Sequence, residues 1–223
     1  MNKLDIRLII FDLDGTLIDS KNDIADSVNY TLKCLHLPSL QNSLIYSYVG
    51  NGVLPLLEKV ISCSNKKSNL ENALKVFRKH YEEHLLDSTR LYPGVMEILK
   101  HFSDVNMGLV SNKPERFVKK ILKGLNVDCF FPVVIGGDTL KTKKPDPEGV
   151  NMIRNRFGAD LHETVIVGDG GVDIETGKEA GIHTCGVSYG LRDRKELVEA
   201  GAEIIIDDIL ELKNHFNSGF FNV

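Results

Sequence analysis

Six short apolar runs, each closed by turn or acidic residues, constrain this chain more than any other feature. They span Ile6–Phe11, Val105–Val110, Val133–Ile135, Thr164–Val167, Thr184–Val187 and Glu203–Ile206. Several are rich in Val and Ile and nearly unbroken, the pattern of strands buried on both faces. Helix-length mixtures of polar and apolar residues lie between them, at Pro114–Leu125, Pro147–Phe157 and Asp173–Gly181. Strands alternating with helices imply an α/β fold, a parallel sheet with helices on both sides.

One stretch breaks the alternation. From about Ser20 to Asp87 there is no convincing strand. Ile24, Val28, Leu32 and Leu35 recur at helical spacing, and Ser20 is placed to cap that helix. Leu70, Leu74, Phe77, Tyr81 and Leu85 make a second stripe. Both stripes read as helix-helix core. Tyr48-Val-Gly-Asn-Gly-Val53 is a loop between shorter helical pieces. The expected organisation is an α/β core from residues 1–18 and 88–223, with residues 19–87 as a helical insert. The tail from Asn217 onward is expected to be loosely held.

The balance of 27 Lys and Arg against 31 Asp and Glu gives a net charge of −4. That is no electrostatic footprint for nucleic acid, and it does not favour an anionic membrane surface. No apolar run is long enough to span a bilayer, and the N-terminal run is too short and too acidic at its end for a signal peptide. Cys34, Cys63, Cys129 and Cys185 are scattered, with no paired spacing for metal or redox work. Reduced thiols in a cytoplasmic protein are the expectation. A monomer or a homodimer is expected.

Chemistry gathers at strand ends. Asp12-Leu-Asp-Gly-Thr16 follows the first run. Alternate residues of an extended segment face one way, so Asp12 and Asp14 approach one pocket. Two carboxylates so close need a cation or a proton. Gly15 lets the backbone turn and approach a ligand. Gly168-Asp169-Gly-Gly-Val-Asp173 follows a second run and opens a helix; its hard oxygen ligands suit magnesium. Val110-Ser-Asn-Lys113 closes a third run, with the Ser111 hydroxyl beside a helix start that favours anions. Lys143-Lys144-Pro145 follows a fourth, and a lysine there neutralises phosphate or carboxylate charge. Each piece alone has a plain structural explanation: a chance pair of acids, a helix cap, a solvated lysine pair. Their common position at the ends of four strands does not.

With these motifs the sequence resembles the haloacid dehalogenase-like (HAD) hydrolases over nearly its whole length. Asp12 through Thr16, Ser111-Asn112, Lys144-Pro145 and Gly168-Asp169 through Asp173 match the family's four motifs in order. Within the superfamily it looks most like bacterial phosphoglycolate phosphatases, through Tyr48–Val53, Leu91–Val95, Val110–Pro114, Val134–Asp138 and Ser188–Gly190.

The resemblance implies a Rossmann-like sheet with an inserted helical cap and a Mg2+-dependent phosphatase. Asp12 is then the nucleophile that becomes an aspartyl phosphate. Asp14 is the acid and base, with its backbone carbonyl on the metal. Ser111 holds phosphate oxygens, and Lys144 pairs with Asp12 and phosphate. Asp12, Asp14, Asp169 and Asp173 form the metal set. Thr16, Asn112, Asn51 and Gly52 are expected at the substrate, a small phosphorylated metabolite, most simply 2-phosphoglycolate. Asn51 and its glycines also read as a plain helix-joining turn.

Members of the family usually carry Ser or Thr where Gly170 stands and Ala where Gly177 stands, and often His or Ala where Asp146 stands. Gly170 removes a hydroxyl near the metal, and Gly177 costs up to about 1 kcal/mol of helix propensity. His80, His84 and His101 lie on helical stretches as surface or core residues.

Other readings share part of this pattern. A sugar phosphomutase shares the nucleophile and metal groups, although its members commonly carry Val where Thr16 stands. Pyrophosphate and nucleotide hydrolysis stay open. A phospho-accepting receiver module has about half this length and no helical insert. Haloacid dehalogenation has no use for Asp14 and the metal acids.

Overall fold

The computed structural model describes residues 3–63 and 69–218. All six apolar runs become strands. The first splits at the exposed Arg7 into β1 (Leu4–Ile6) and β2 (Leu8–Phe11). A two-residue strand, β3 (Ile18–Asp19), leads into helices α1 (Lys21–Cys34), α2 (Asn42–Tyr46), α3 (Val53–Ser62) and α4 (Leu70–His84). The chain returns through β4 (Arg90–Leu91), which pairs antiparallel with β3. Then follow α5 (Val95–His101), β5 (Asn106–Val110), α6 (Glu115–Gly124), β6 (Val133–Ile135) and α7 (Glu148–Phe157). Last come β7 (Thr164–Gly168), α8 (Gly171–Ala180), β8 (His183–Val187), α9 (Arg194–Ala200), β9 (Ile204–Ile206), α10 (Leu212–His215) and β10 (Phe216–Ser218).

The main sheet has the order β6-β5-β2-β7-β8-β9, and every pairing in it is parallel. β2 is the switch point: the chain winds to β5 and β6 on one side, and to β7, β8 and β9 on the other. Ligand crevices of open α/β sheets lie beyond the carboxyl ends at such a point. All of β2 is buried. Leu8 and Ile10 pack with Val150, Ile153, Ile166 and Ile182 on one face. Ile9 and Phe11 pack with Leu109, Phe117, Val165 and Val167 on the other. That second cluster continues without a break into Ile24, Val28, Phe77 and Tyr81 of the insert. The insert is thus rooted in the same core as the sheet.

Its two ends are tied together by Asp23. This buried carboxylate accepts from the backbone N–H groups of Ser88 and Thr89 and from both hydroxyls, at 2.5–3.1 Å. Charge-assisted bonds of this kind hold a helix start firmly.

Two expectations change. Ser20 precedes α1 but makes no capping bond. Its backbone, at φ −111° and ψ 2°, is not in the extended conformation of a capping residue, and its buried hydroxyl donates to Asp14. The tail is also not loose throughout. Phe216 is buried, β10 pairs with β1, and Asn217 bonds Asp5 at 2.8 Å. Residues 219–223 of that tail lie outside the described residues.

Gly177 also reads differently in place. A Cβ there would lie 2.5 Å from side-chain atoms of both Ile166 and Thr184. The helix therefore comes closer to the sheet than an alanine permits. Gly177→Ala gains up to about 1 kcal/mol of helix propensity but meets an overpacking cost of roughly 1–3 kcal/mol. The expected outcome is a destabilised protein, read as a lower urea midpoint. A raised midpoint would show that the sheet yields to the methyl group.

Candidate active site

Four strands deliver the polar groups. β2 ends on Asp12, whose N–H donates to Val167 at 2.9 Å, so its position is fixed by the neighbouring strand. Ser111 follows β5, Asp169 follows β7, and the segment after β6 returns to bring in Lys144. Asp12, Ser111, Lys144, Asp169 and Asp173 are all buried. The structure brings these five predicted residues together with Asp14.

Lys144 Nζ lies 2.6 Å from Asp12 and 2.5 Å from Asp173. Asp173 also accepts from the Gly170 N–H, and Asp169 from the Leu191 N–H at 2.7 Å. Oxygens of Asp12, Asp169 and Asp173 converge within 4.8 Å of one another. Gly15, at φ +88°, allows this approach: a Cβ there would sit 2.1 Å from an Asp169 oxygen.

One ammonium pairs with two of three converging carboxylates, and the charge balance shows it. Burial, against the Lys144 charge, raises Asp12 from its ordinary 3.8 to about 7, and the neighbouring Asp173 adds to the rise. Burial, then the charges of Asp12 and Asp173, lifts Asp169 well above the usual carboxylate range. Burial pulls Lys144 down, but Asp12 and Asp173 outweigh it and the lysine stays charged. An all-oxygen, electron-rich, buried cluster fits a hard divalent cation.

The Asp14 carboxylate stands apart from this cluster. It takes a hydrogen bond from Ser20 at 2.5 Å and an ion pair from Lys113 at 2.5 and 2.8 Å. Sequence reasoning treated Lys113 as part of the Ser111 segment and assigned it no role. Yet it is 7% exposed and sits over the Tyr81 ring at 5.0 Å. A lysine two residues after a strand-end serine was the available signal.

Asp12, Asp14, Ser111 and Lys113 line a cavity of about 50 Å³. Its other walls are largely apolar and come from both layers, with Leu56 and Phe77 from the insert and Phe117 from the core. The expected substrate residues divide. Gly52 borders this cavity, and Asn51 lines the neighbouring groove over Asp169 and Lys144. Asn112 borders the cavity, but its amide donates to the carbonyls of Gly50 and Lys144, so it braces the site. Thr16 borders neither opening; it is fully buried, and its carbonyl accepts from Tyr189. His80 pairs with Ser27 and stacks on Tyr30 and His84, within the insert.

The insert loop is held by core side chains. Arg192 donates to the carbonyls of Ser47 and Val49, and Lys143 to that of Asn51. These carbonyl contacts depend on backbone shape, which is why the residue types of the loop gave no sign of them.

Known proteins are similar to this chain over most of its length. A phosphoglycolate phosphatase of Pseudomonas fluorescens (strain Pf0-1) is 37% identical over 214 residues, covering 92% of this chain and 78% of that protein. One from Aquifex aeolicus (strain VF5) is 42% identical over 188 residues, covering 83% of this chain and 86% of its own length. The crystal structure of a predicted phosphoglycolate phosphatase from Haemophilus somnus 129pt superposes with a TM-score of 0.90 at 30% identity, over 94% of this chain and 97% of that one. The haloacid dehalogenase-like hydrolase profile matches residues 9–187, which takes in every strand-end motif from Asp12 to Asp173. With that span matched and the four motifs meeting at one sheet edge, the chain belongs to the haloacid dehalogenase-like hydrolase family.

Proposed function

We propose that the protein is a divalent-cation-dependent phosphatase that hydrolyses 2-phosphoglycolate through a phosphoryl group carried on Asp12. The observation that carries this reading is the separation of its carboxylates: Asp12 lies in the buried acidic cluster on Lys144, while Asp14 lies outside it on Lys113 and Ser20. One acid is set to attack and the other to move a proton. Asp12 attacks phosphorus in line, and the P–O ester bond breaks. Asp14 delivers its proton to the departing oxygen, then takes one from the water that cleaves the acyl phosphate. Ser111 and Lys144 meet the charge on the transferring oxygens. Asp12, Asp169 and Asp173, with the Asp14 carbonyl, would hold Mg2+, which neutralises phosphate charge when bound.

Helices α1 to α4 act as the cap that closes this chemistry from water. The size of the cavity beside Asp12, Asp14 and Lys113 supports a small substrate. About 50 Å³ compares with roughly 10–15 Å³ for one water. A two-carbon acid fits such a space, and a larger group would have to extend into the groove over Asp169 and Lys144. The names of the relatives point to the same compound. Three exposed free cysteines support a reducing, cytoplasmic setting.

The test is phosphate release with Mg2+ across 2-phosphoglycolate, glucose phosphates, nucleoside monophosphates and pyrophosphate. The highest kcat/KM is expected on 2-phosphoglycolate. Isomerisation of a sugar phosphate without phosphate release would overturn the reading.

A further inference from the structure

We infer that Lys113 and the Tyr81 hydroxyl form the seat for the substrate's carboxylate, and so determine specificity for a phosphorylated acid over a neutral phosphate ester. This inference rests on the phosphatase reading above and assigns its substrate end to two residues.

The site contains two buried ammonium groups, and they face different ways. Lys144 serves the acidic cluster of Asp12 and Asp173. Lys113 touches only Asp14 among the site carboxylates, on the side where the leaving group must stand. In 2-phosphoglycolate one methylene separates the ester oxygen from the carboxyl carbon. When Asp14 faces the ester oxygen, that carboxylate comes within reach of the ammonium already bonded to Asp14.

The remaining walls supply no second cation. Ile24, Val49, Leu56, Phe77 and Phe117 make them apolar. An anion in such a space is strongly disfavoured without a partner. With one, its attraction is stronger than in water.

The second observation is an orphaned polar atom. Tyr81 is 1% exposed and lines this cavity from α4; its hydroxyl stands beside the Lys113 ammonium, which can only donate, and no group among the described residues accepts its proton. A buried hydroxyl whose proton finds no acceptor is uncommon and calls for an explanation. A carboxylate held by Lys113 beside this ring accepts the missing bond. The two donors come from different layers, Lys113 from the core and Tyr81 from the insert. A carboxylate bridging them therefore draws the two layers together only for the right substrate.

A simpler role for Lys113 is to neutralise Asp14. The two roles differ in what they discriminate. A lysine that serves only Asp14 affects every phosphate ester alike. A carboxylate seat affects only esters that carry the acid.

The experiment compares 2-phosphoglycolate with ethyl phosphate, in which a methyl group replaces the carboxylate, under saturating Mg2+. Lys113→Met, Lys113→Arg and Tyr81→Phe are measured with the wild type, with a thermal melt for each. Lys113→Met is expected to lower kcat/KM for 2-phosphoglycolate about 100-fold more than for ethyl phosphate. Lys113→Arg should keep part of the preference. Tyr81→Phe should lose about 10-fold on 2-phosphoglycolate alone. If Lys113→Met fails to fold, Tyr81→Phe carries the test, since it removes one oxygen whose proton has no acceptor and leaves the ring packing. Equal losses on both esters, or no selective loss in Tyr81→Phe, would overturn the seat while the phosphatase reading stands. A wild type that releases phosphate from neither ester refutes the phosphatase reading and this inference with it.

Discussion

Asp12→Asn is expected to abolish turnover while the fold survives. Asparagine has nearly the same shape, and its amide oxygen still accepts from Lys144, which stands 2.6 Å away. It cannot attack phosphorus as a carboxylate does. Loss of a nucleophile costs on the order of 10⁵–10⁶ in rate. Stability should move the other way. In the cation-free protein Asp12 is an acid raised to about 7 by burial, so its ionised form is costly above that pH. Asparagine removes that cost. An increase on the order of 1–4 kcal/mol is expected near pH 8, and little change near pH 4. Rapid-quench experiments with labelled substrate should trap protein-bound phosphate in the wild type and none in the variant. Full activity in Asp12→Asn would falsify the assignment; an unfolded variant would contradict the claim that this carboxylate serves function and not structure.

Much of this arrangement is readable from the chain. Strands buried on both faces announce themselves through continuous Val and Ile, so all six runs were found, and the four acidic or basic motifs at their ends were found with them. What escaped had weaker physical signals. β3 and β4 are two residues each, too short for any periodicity. β1 separates from β2 because Arg7 turns outward to solvent, and its partner is a C-terminal segment with no apolar run of its own. Ser20 has the right residue type for a cap, but its backbone is not extended there and its hydroxyl turns to a carboxylate six positions earlier. Lys113 has no role legible in the sequence because nothing there says that a long side chain folds inward. Gly177 looked like a costly helix residue because propensity knows nothing of Ile166 and Thr184 beneath it. In each case the deciding partner is distant or sterically defined. Local rules describe what a residue prefers, and tertiary packing decides what it gets.

Removing divalent cations with a chelator is expected to stop turnover, and restoring Mg2+ should recover it; the stability of the protein should then reveal where the cation sits. Without a cation, Asp12 and Asp169 hold their protons to higher pH in the folded state than in the unfolded chain. The unfolded chain releases them near the ordinary 3.8, the folded Asp12 only near 7. Between those values the folded state binds more protons, so stability falls as pH rises through the window. A bound cation favours the ionised carboxylates and offsets this loss. The stabilisation by Mg2+ should therefore grow from pH 5 to pH 8. At one hundred times its dissociation constant a ligand adds about 2.7 kcal/mol. For a domain of this size that is a rise in Tm of about 5–10 °C. Scanning calorimetry with and without Mg2+ at the two pH values measures it directly. Two variants locate the effect. Asp169→Asn removes a cluster carboxylate and should lose most of the Mg2+ shift. Asp14→Asn should keep the shift while losing turnover, because its carboxylate is held by Lys113 and Ser20 outside the cluster. A Mg2+ shift that disappears in Asp14→Asn and persists in Asp169→Asn would reverse the division of labour between the acids. Conservation of both shifts would place the cation elsewhere.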